Sequence, residues 1–340
     1  MSNDESANHS RCLRTTSRPT CPVCGMRGED VYRGLRDSSF DAPGEWNIAK
    51  CGAEDCGTFW LNPEPVAEDL LYAYRNYHTH GDTKERSGGA LKRLYIWFVQ
   101  VILWATGILF ERNRVDELLL KIRSPGSLLD VGCGRGDFLS RMARHGWEAT
   151  GVDFDPKAAE EARRSNGLEV HVGGIECLDP KAFKFDAISS NHSIEHVHDP
   201  VRFVANCRQL LKPGGYLVIR TPNADSYGHR RYRGAWRGLE PPRHLCILTK
   251  KSVYKLADRT GFRVVECSTS HSMAEGILLA SYIIEKFGHV NSVPGGVRGV
   301  LIKMCGPVLA IRERFRWSLD KACGEELCAV LCRIEASPET

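Results

Sequence analysis

From residue 127 onwards, short apolar runs alternate with longer stretches in which apolar residues recur at helical spacing. This alternation predicts an α/β domain with a parallel, doubly wound sheet, because parallel strands are joined by crossover helices. Seven strands are predicted, over residues 128–131, 148–152, 168–172, 185–190, 216–220, 262–268 and 325–334. The helices between them are predicted over residues 138–145, 156–165, 200–211 and 251–260.

The alternation is interrupted once, before the last strand. Residues 271–318 contain two apolar stretches, 277–284 and 300–311, which are separated by Pro294, Gly295 and Gly296. We expect both stretches to be helices. The prediction is therefore a seven-stranded, Rossmann-like sheet with a helical insertion at 271–318.

Residues 94–110 contain no charged side chain. The run is slightly shorter than the ~20 residues that cross a bilayer. A crossing would also separate the cysteine-rich residues before it from the α/β domain after it. Two interpretations remain open, a helix that lies in a membrane surface and a helix buried against the core.

The first 19 residues are polar, which predicts a disordered tail and gives no sign of a secretory signal. The chain contains 14 cysteines, and without a signal they favour a reducing cytoplasm over a disulfide framework. We expect a tail at 1–19, a cysteine module at 20–62, a helical linker at 63–111 and the α/β domain at 112–340.

Four cysteines in the N-terminal module have the spacing of metal ligands. Cys21 and Cys24 are separated by two residues, and Cys51 and Cys56 by four. Two such turns can present four thiolates to one tetrahedral Zn²⁺. The spacing predicts a zinc ribbon over 20–62, with a structural metal because four protein ligands leave no open position. Cys56 is the weakest candidate because its gap is long.

A glycine-rich turn follows the first predicted strand of the α/β domain. Gly132, Gly134 and Gly136 allow the backbone to turn sharply and to approach a ligand closely. Asp130 precedes the turn, and Asp153 ends the second strand about 20 residues later, where an acid can accept both hydroxyls of a ribose. The pattern predicts a nucleoside-containing ligand.

These residues resemble the class I S-adenosylmethionine (SAM)-dependent methyltransferases, over roughly 112–270 and 325–335. The segment 191–200 resembles the family's EHV-x-DP motif, and 211–217 and 221–223 match its LKPGG and TPN segments. The resemblance implies SAM as cofactor. The candidate cofactor-binding residues are Asp130, Gly132, Cys133, Gly134, Gly136, Asp153, Phe154, Gly174, Ile175, Asn191 and His192.

Residues around the fifth strand narrow the resemblance to a ubiquinone O-methyltransferase-like branch, classed as methyltransferase domain 23. They include Trp236 and the segments 238–240, 242–245 and 260–262. Sugar C-methyltransferases also have an N-terminal zinc module, but they continue into a further C-terminal domain. After the fourth strand the chain has Ser190, Asn191, His192 and Ser193, where amino-directed methyltransferases commonly have an N/D-P-P-Y/F motif. This difference favours O-methylation, and we expect the acceptor to be a small molecule, a glycan or a lipid-linked molecule.

A hydroxyl nucleophile benefits from a base, and histidine suits this task near pH 7. His192 and His244 are the catalytic candidates, because they follow the fourth and fifth strands. His196 is expected to be structural and His198 to lie on the surface. Packing or binding roles for His192 and His244 stay open.

The acceptor is not specified by any motif. The loop 228–237 is basic and aromatic, and it could either bind an anionic, lipid-linked acceptor or be a solvated face. A net charge of +4 is too small to indicate nucleic acid. The alternatives are an RNA methyltransferase and a non-catalytic SAM-binding protein. We expect a cytoplasmic protein, with peripheral contact to the inner face of the membrane as an option.

Overall fold

The structure is a computed structural model that describes residues 13–74 and 118–335, together with positions 97, 100, 101, 104, 107 and 111 between them. The N-terminal elements are β1 (Thr15–Thr16), β2 (Gly28–Leu35), β3 (Trp46–Cys51), β4 (Phe59–Leu61), β5 (Glu64–Pro65) and helix α1 (Ala67–Leu70). The strands that follow are β6 (Ser127–Val131), β7 (Glu148–Asp153), β8 (Glu169–Val172), β9 (Phe185–Asn191), β10 (Leu211–Pro222), β11 (Cys246–Ile247), β12 (Phe262–Ser270) and β13 (Glu326–Arg333). The remaining helices are α2 (Leu118–Ile122), α3 (Asp137–Arg144), α4 (Pro156–Asn166), α5 (Pro200–Leu210), α6 (Tyr227–Tyr232), α7 (Lys250–Thr260), α8 (Ala274–Phe287) and α9 (Gly296–Leu319).

The predicted seven-stranded α/β sheet is confirmed, in the order β12-β13-β10-β9-β6-β7-β8. One correction concerns its last strand, because β13 runs antiparallel to both β10 and β12. The predicted helical insertion is present as α8 and α9. Since β12 and β13 are antiparallel neighbours, the insertion begins and ends on the same side of the sheet. This is the side on which the carboxyl ends of the parallel strands lie.

Local sequence signals place the crossover helices. Asp155 caps α4 by accepting from the Lys157 amide at 2.9 Å, and Pro156 occupies the first turn. Helix α7 begins with a capping box between Thr249 and Ser252. These caps fix where each helix begins and therefore where the preceding loop ends.

The prediction of a disordered tail must be corrected for residues 13–19. Strand β1 pairs with β5, and the side chain of Arg14 donates to both carboxylate oxygens of Asp69 at 3.0 and 2.8 Å. The Arg18 carbonyl accepts from the indole of Trp60 at 2.8 Å. Local composition missed these contacts because their partners lie about 40 to 55 positions away.

The N-terminal sheet is completed by a strand from the α/β domain. Its order is β11-β4-β3-β2, and β11 pairs antiparallel with β4. The amide of Leu61 donates to the Leu245 carbonyl at 3.0 Å. Trp46 and Trp236, from the two parts of the chain, belong to one buried cluster. The cysteine module and the α/β domain therefore share a core.

The apolar segment 94–110 falls largely outside the described residues. Trp97, Gln100, Val101 and Trp104 are helical. Among the described residues, no helix is long and apolar enough to cross a membrane.

Candidate functional site

The glycine turn after β6 has a backbone that only glycine adopts easily. Gly132, Gly134 and Gly136 have φ angles of 76°, 53° and 79°. A Cβ atom on Gly132 would lie 2.9 Å from the Cβ of Ser193, and one on Gly136 would lie 2.5 Å from a methyl group of Leu168. At Gly134, by contrast, a Cβ would meet nothing within 4 Å. Two glycines thus permit close packing, and the third faces open space.

The carboxylate of Asp153 holds this turn in place. Its Oδ2 atom accepts from the Gly134 amide at 2.7 Å, and its Oδ1 atom accepts from the Asp155 amide at 2.9 Å. Burial raises the pKa of Asp153, against the effect of these two amides. The end of β7 and the glycine turn are thereby joined at the carboxyl edge of the sheet.

A cavity of about 370 Å³ lies beside the turn. Five residues of the sequence-predicted cofactor set line it, namely Asp130, Gly132, Cys133, Gly134 and Asn191. Five further lining residues were missed, namely Arg135, Asp137, Phe138, Arg141 and Arg220. Arg220 could have been found from the sequence, because it ends the predicted fifth strand, on the side of the sheet where the glycine turn also lies.

Asp130 is oriented inside this cavity by its neighbours. Its Oδ1 atom accepts from Ser189 at 2.6 Å and from the Asn191 amide group at 3.3 Å. Burial raises the pKa of Asp130 to about 7. A cationic ligand group, such as an amino acid's ammonium or a sulfonium, would stabilise the ionised form of this carboxyl group.

The other predicted cofactor residues are not among those that line the cavity. Ile175 is buried, and Gly174 precedes it at the end of β8. The ring of Phe154 is 48% exposed and lies edge-on to Tyr74, with 5.4 Å between the ring centroids. Phe154 therefore offers a free aromatic surface next to Asp153.

His192 lies between two buried carboxylates. Its Nδ1 atom is 3.2 Å from Glu195 Oε1, and its Nε2 atom is 2.8 Å from Glu326 Oε1. Burial opposes the charged ring, but the hydrogen bonds to both acids raise the pKa of His192 to about 10. With both nitrogens donating, the imidazolium has no lone pair for a proton, which argues against His192 as a base.

His244 is buried and neutral. Its Nδ1 atom donates to the Gly238 carbonyl at 2.7 Å. Burial lowers the pKa of His244 to about 4. The ring lies edge-to-face against His196, with 4.8 Å between the centroids. This environment favours a packing role for His244 over proton transfer.

His196 is half-buried, as is His192, whereas His244 is buried. The Nδ1 atom of His196 is 3.0 Å from the Arg243 carbonyl and 2.9 Å from the Tyr74 hydroxyl. Donor atoms of Glu195, His196 and His244 lie within 4.8 Å of one another. Sequence reasoning assigned His196 a structural role, and it missed Tyr74 because that residue lies 122 positions before His196 in the chain.

The four cysteines of the N-terminal module converge. The Sγ atoms of Cys21 and Cys56 are 3.7 Å apart, and those of Cys24 and Cys51 are 3.3 Å apart. Tetrahedral Zn–S bonds of 2.3 Å require sulfurs about 3.8 Å apart. The donor set therefore fits a structural zinc ion, and Cys56 lies in the cluster despite its long spacing.

The basic loop 228–237 is largely paired with acids of the protein. Arg230 is 3.2 Å from Asp320, Arg231 is 2.7 Å from Glu285, and Arg237 contacts Glu240. These pairs favour the interpretation of a structural and solvated face. Because these arginines already pair with acids of the protein, the loop is a weaker candidate for binding an anionic acceptor.

Comparison with known proteins identifies one domain within the chain. A methyltransferase domain profile matches residues 109–267, the segment that contains the glycine turn, Asp153 and His196. The chain contains a class I SAM-dependent methyltransferase domain.

The chain is similar to curated proteins and to solved structures. Ubiquinone biosynthesis O-methyltransferases from Alkalilimnicola ehrlichii and Coxiella burnetii are 40% and 38% identical, each over 28% of this chain and over 41% and 43% of their own lengths. The chain thus spans less than half the length of these relatives. A SAM-dependent methyltransferase structure from Archaeoglobus fulgidus is 18% identical, covers 66% of this chain and 93% of its own, and has a TM-score of 0.44.

Proposed function

We propose that the protein transfers a methyl group from SAM to a hydroxyl of a small-molecule acceptor. The observation that carries this proposal is the continuity of the clamped glycine turn with the cavity lined by Asp130 and Asn191. The relatives named for ubiquinone biosynthesis support an O-methylated small molecule. A glycan or a lipid-linked molecule belongs to the same proposal.

The residues around the cavity have distinct tasks in binding SAM. Asp153 and Phe154 would bind the ribose and the adenine, and Gly174 and Ile175 would hold the adenine. Gly132, Cys133, Gly134 and Gly136 bring bare backbone to the methionyl part. Asp130 and Arg220 would bind its ammonium and carboxylate groups through opposite charges, and Asn191, which lines the same cavity, would lie near the sulfonium.

SAM would supply a methyl group activated by its sulfonium: the acceptor oxygen bonds to the methyl carbon, the carbon–sulfur bond breaks, and a neutral thioether is released. The protein positions the acceptor and receives its proton. We assign the proton to Nε2 of His196, because Nδ1 is engaged by the Arg243 carbonyl and Tyr74. The cationic His192 and the hydroxyl of Thr221 both donate to Glu195, the latter at 3.0 Å, and together they orient its carboxylate.

The cysteine cluster has a supporting task in this proposal. A Zn²⁺ ion on Cys21, Cys24, Cys51 and Cys56 would hold the turn that contacts α7, where Thr249 donates to the Cys56 carbonyl at 2.5 Å. The thiols of the described residues are all free of disulfides, which supports a cytoplasmic location. We propose that the chain divides into a zinc ribbon at 20–62, a helical linker at 63–111 and a methyltransferase domain at 112–340.

A transfer assay with methyl-labelled SAM tests the proposal. The purified protein is incubated separately with quinone precursors and phenols, with glycans and with RNA. We expect label in a hydroxylated small molecule or glycan that survives mild base hydrolysis of esters. Label in RNA, or SAM binding without transfer to any fraction, would overturn it.

A further inference from the structure

Helix α9 presents an apolar stripe to solvent along most of its length. Six large side chains on it are 41–70% exposed. They recur every three or four residues, so they lie on one face of the helix. These residues, which we call the α9 stripe, are Leu301, Met304, Val308, Ile311, Phe315 and Leu319.

The opposite face of α9 is fixed to the protein. Ile302 and Ala310 are buried, and the Gly306 backbone packs against Glu275 and Leu279 of α8 so closely that a Cβ would lie 3.3 Å from either side chain. The indole of Trp317 donates to the Thr269 carbonyl at 3.2 Å. The α9 stripe is therefore held outward by packing on the other side, and does not result from a loosely attached helix.

The exposed face is also basic. Helix α9 contains five arginines and lysines but one acid, Glu313, and that acid is buried. Arg298, Lys303, Arg312 and Arg316 are exposed. An apolar stripe bordered by cations is complementary to a surface that is apolar below and anionic above, as a bilayer of acidic lipids is.

A second set of exposed apolar residues lies on a neighbouring helical segment. Trp97, Val101 and Trp104 are helical and 61%, 41% and 75% exposed, at the spacing of one helix face. A Cβ on Gly107 of this segment would lie 3.5 Å from the Arg314 guanidinium of α9. Tryptophan is the side chain most suited to the interface between lipid and water.

We propose that the α9 stripe and Trp97, Val101 and Trp104 form a docking face for the surface of an anionic lipid bilayer. The helices lie in the plane of the membrane and do not cross it. Helix α9 is attached where the parallel strands end, because the Glu325 amide donates to Glu313 at 3.2 Å. Docking thus brings the acceptor side of the proposed active site toward the bilayer, and this consequence alone rests on the proposed function.

Vesicle flotation of the full-length protein tests the docking face without methyl transfer. Vesicles of phosphatidylcholine with 30% phosphatidylglycerol are compared with phosphatidylcholine alone, at low and high salt. We expect partitioning to the acidic vesicles, reduced by salt. The double variant V308S/F315S and the charge variant R312Q/R316Q should each lower the partition coefficient at least tenfold.

The control is the double variant V265S/Y254S, which removes two apolar residues that are 46% and 50% exposed elsewhere. It should float like the wild type. Thermal unfolding and SAM binding should match the wild type in all three variants, which separates loss of docking from loss of fold. Equal flotation of V308S/F315S and wild type would overturn the proposal. So would a wild type that ignores vesicles and forms dimers that V308S/F315S dissociates, since a second copy would then cover the face.

Discussion

The guanidinium of Arg243 forms a bidentate pair with the carboxylate of Asp37, at 2.8 and 2.9 Å, although the two residues are 206 positions apart. Both side chains are almost completely buried. Arg243 also donates to Glu240 at 2.9 Å and to the Ala73 carbonyl at 3.0 Å. The pair joins the N-terminal sheet to the loop that holds His244, so the module next to the cysteine cluster helps to shape the acceptor side of the site.

We predict that Arg243→Met destabilises the protein by about 3–5 kcal/mol, because it leaves a buried carboxylate without its partner. Denaturant unfolding measures the change. Arg36→Met is the control, since its pair with Glu45 is 77% and 58% exposed and should contribute less than about 1 kcal/mol. Similar losses in both variants would contradict a special role for the buried pair.

The same pair predicts a dependence on acid. Although burial opposes it, Arg243 lowers the pKa of Asp37 below its ordinary value. The folded state therefore binds this proton more weakly than the unfolded state, so the contribution is complete above the ordinary pKa of about 4 and is lost as the pH falls further. In Asp37→Asn, the loss of stability between pH 5 and 3 should be smaller than in the wild type.

Asp153→Ala should raise the dissociation constant of SAM at least tenfold. The substitution removes the acceptor for the Gly134 and Asp155 amides, and one hydrogen bond to a charged group contributes about 1.5–3 kcal/mol. Isothermal titration measures the affinity. Asp179→Ala is the matched control, because Asp179 also accepts from a backbone amide, that of Lys181, away from the cavity. Unchanged affinity in Asp153→Ala would remove Asp153 from the SAM site.

We predict that His196→Gln lowers kcat by about 10²–10⁴ with little change in SAM affinity, as expected for the loss of a general base. His192→Gln should affect kcat less, because a pKa of about 10 keeps His192 protonated near neutral pH. The assay uses the acceptor found with labelled SAM. A larger kcat loss in His192→Gln than in His196→Gln would reverse the assignment.

The cysteine cluster should bind one zinc ion per chain. Cys51→Ser should lose this metal and unfold at a lower temperature, because three ligands and a hydroxyl hold Zn²⁺ poorly. Metal analysis and thermal unfolding measure both effects. Cys305→Ser is the control, since Cys305 is exposed and far along the chain from the cluster. Equal zinc content in the two variants would argue against the ribbon as a metal site.

Two buried acids, Glu313 of α9 and Glu325 just before β13, predict a loss of stability as the pH rises toward neutral. Burial raises the pKa of Glu325 to about 7 and that of Glu313 well above its ordinary value, and the charge of Glu325 adds to the rise at Glu313. Folding therefore favours the protonated forms, and stability falls as the pH rises from about 5 through 7. Glu313→Gln should flatten this fall in thermal unfolding between pH 5 and 8.5, whereas Glu285→Gln on the surface should not.

The sequence by itself determined the order of strands and helices in the α/β domain. The signals for these elements are local: strand and helix periodicities, caps such as Asp155 and Thr249, and the glycines of the turn after β6. Local signals depend only on neighbouring residues, so they can be read without the tertiary structure. Part of the lining of the cavity beside the glycine turn was predictable for the same reason, since Asp130, Gly132 and Gly134 lie at the end of one strand. The four cysteines could be grouped because their spacing is itself a local pattern.

Only the tertiary structure decided the acceptor side. His192 became a cation because Glu326, 134 positions away, lies against its Nε2 atom. Residues 13–19 gained order, and the ribbon gained its fourth strand, through partners that no local window contains. The direction of β13 also placed the basic, apolar face of α9 at the edge of the site. Charge state and exposure depend on what long-range packing brings into contact, and sequence spacing does not encode those contacts.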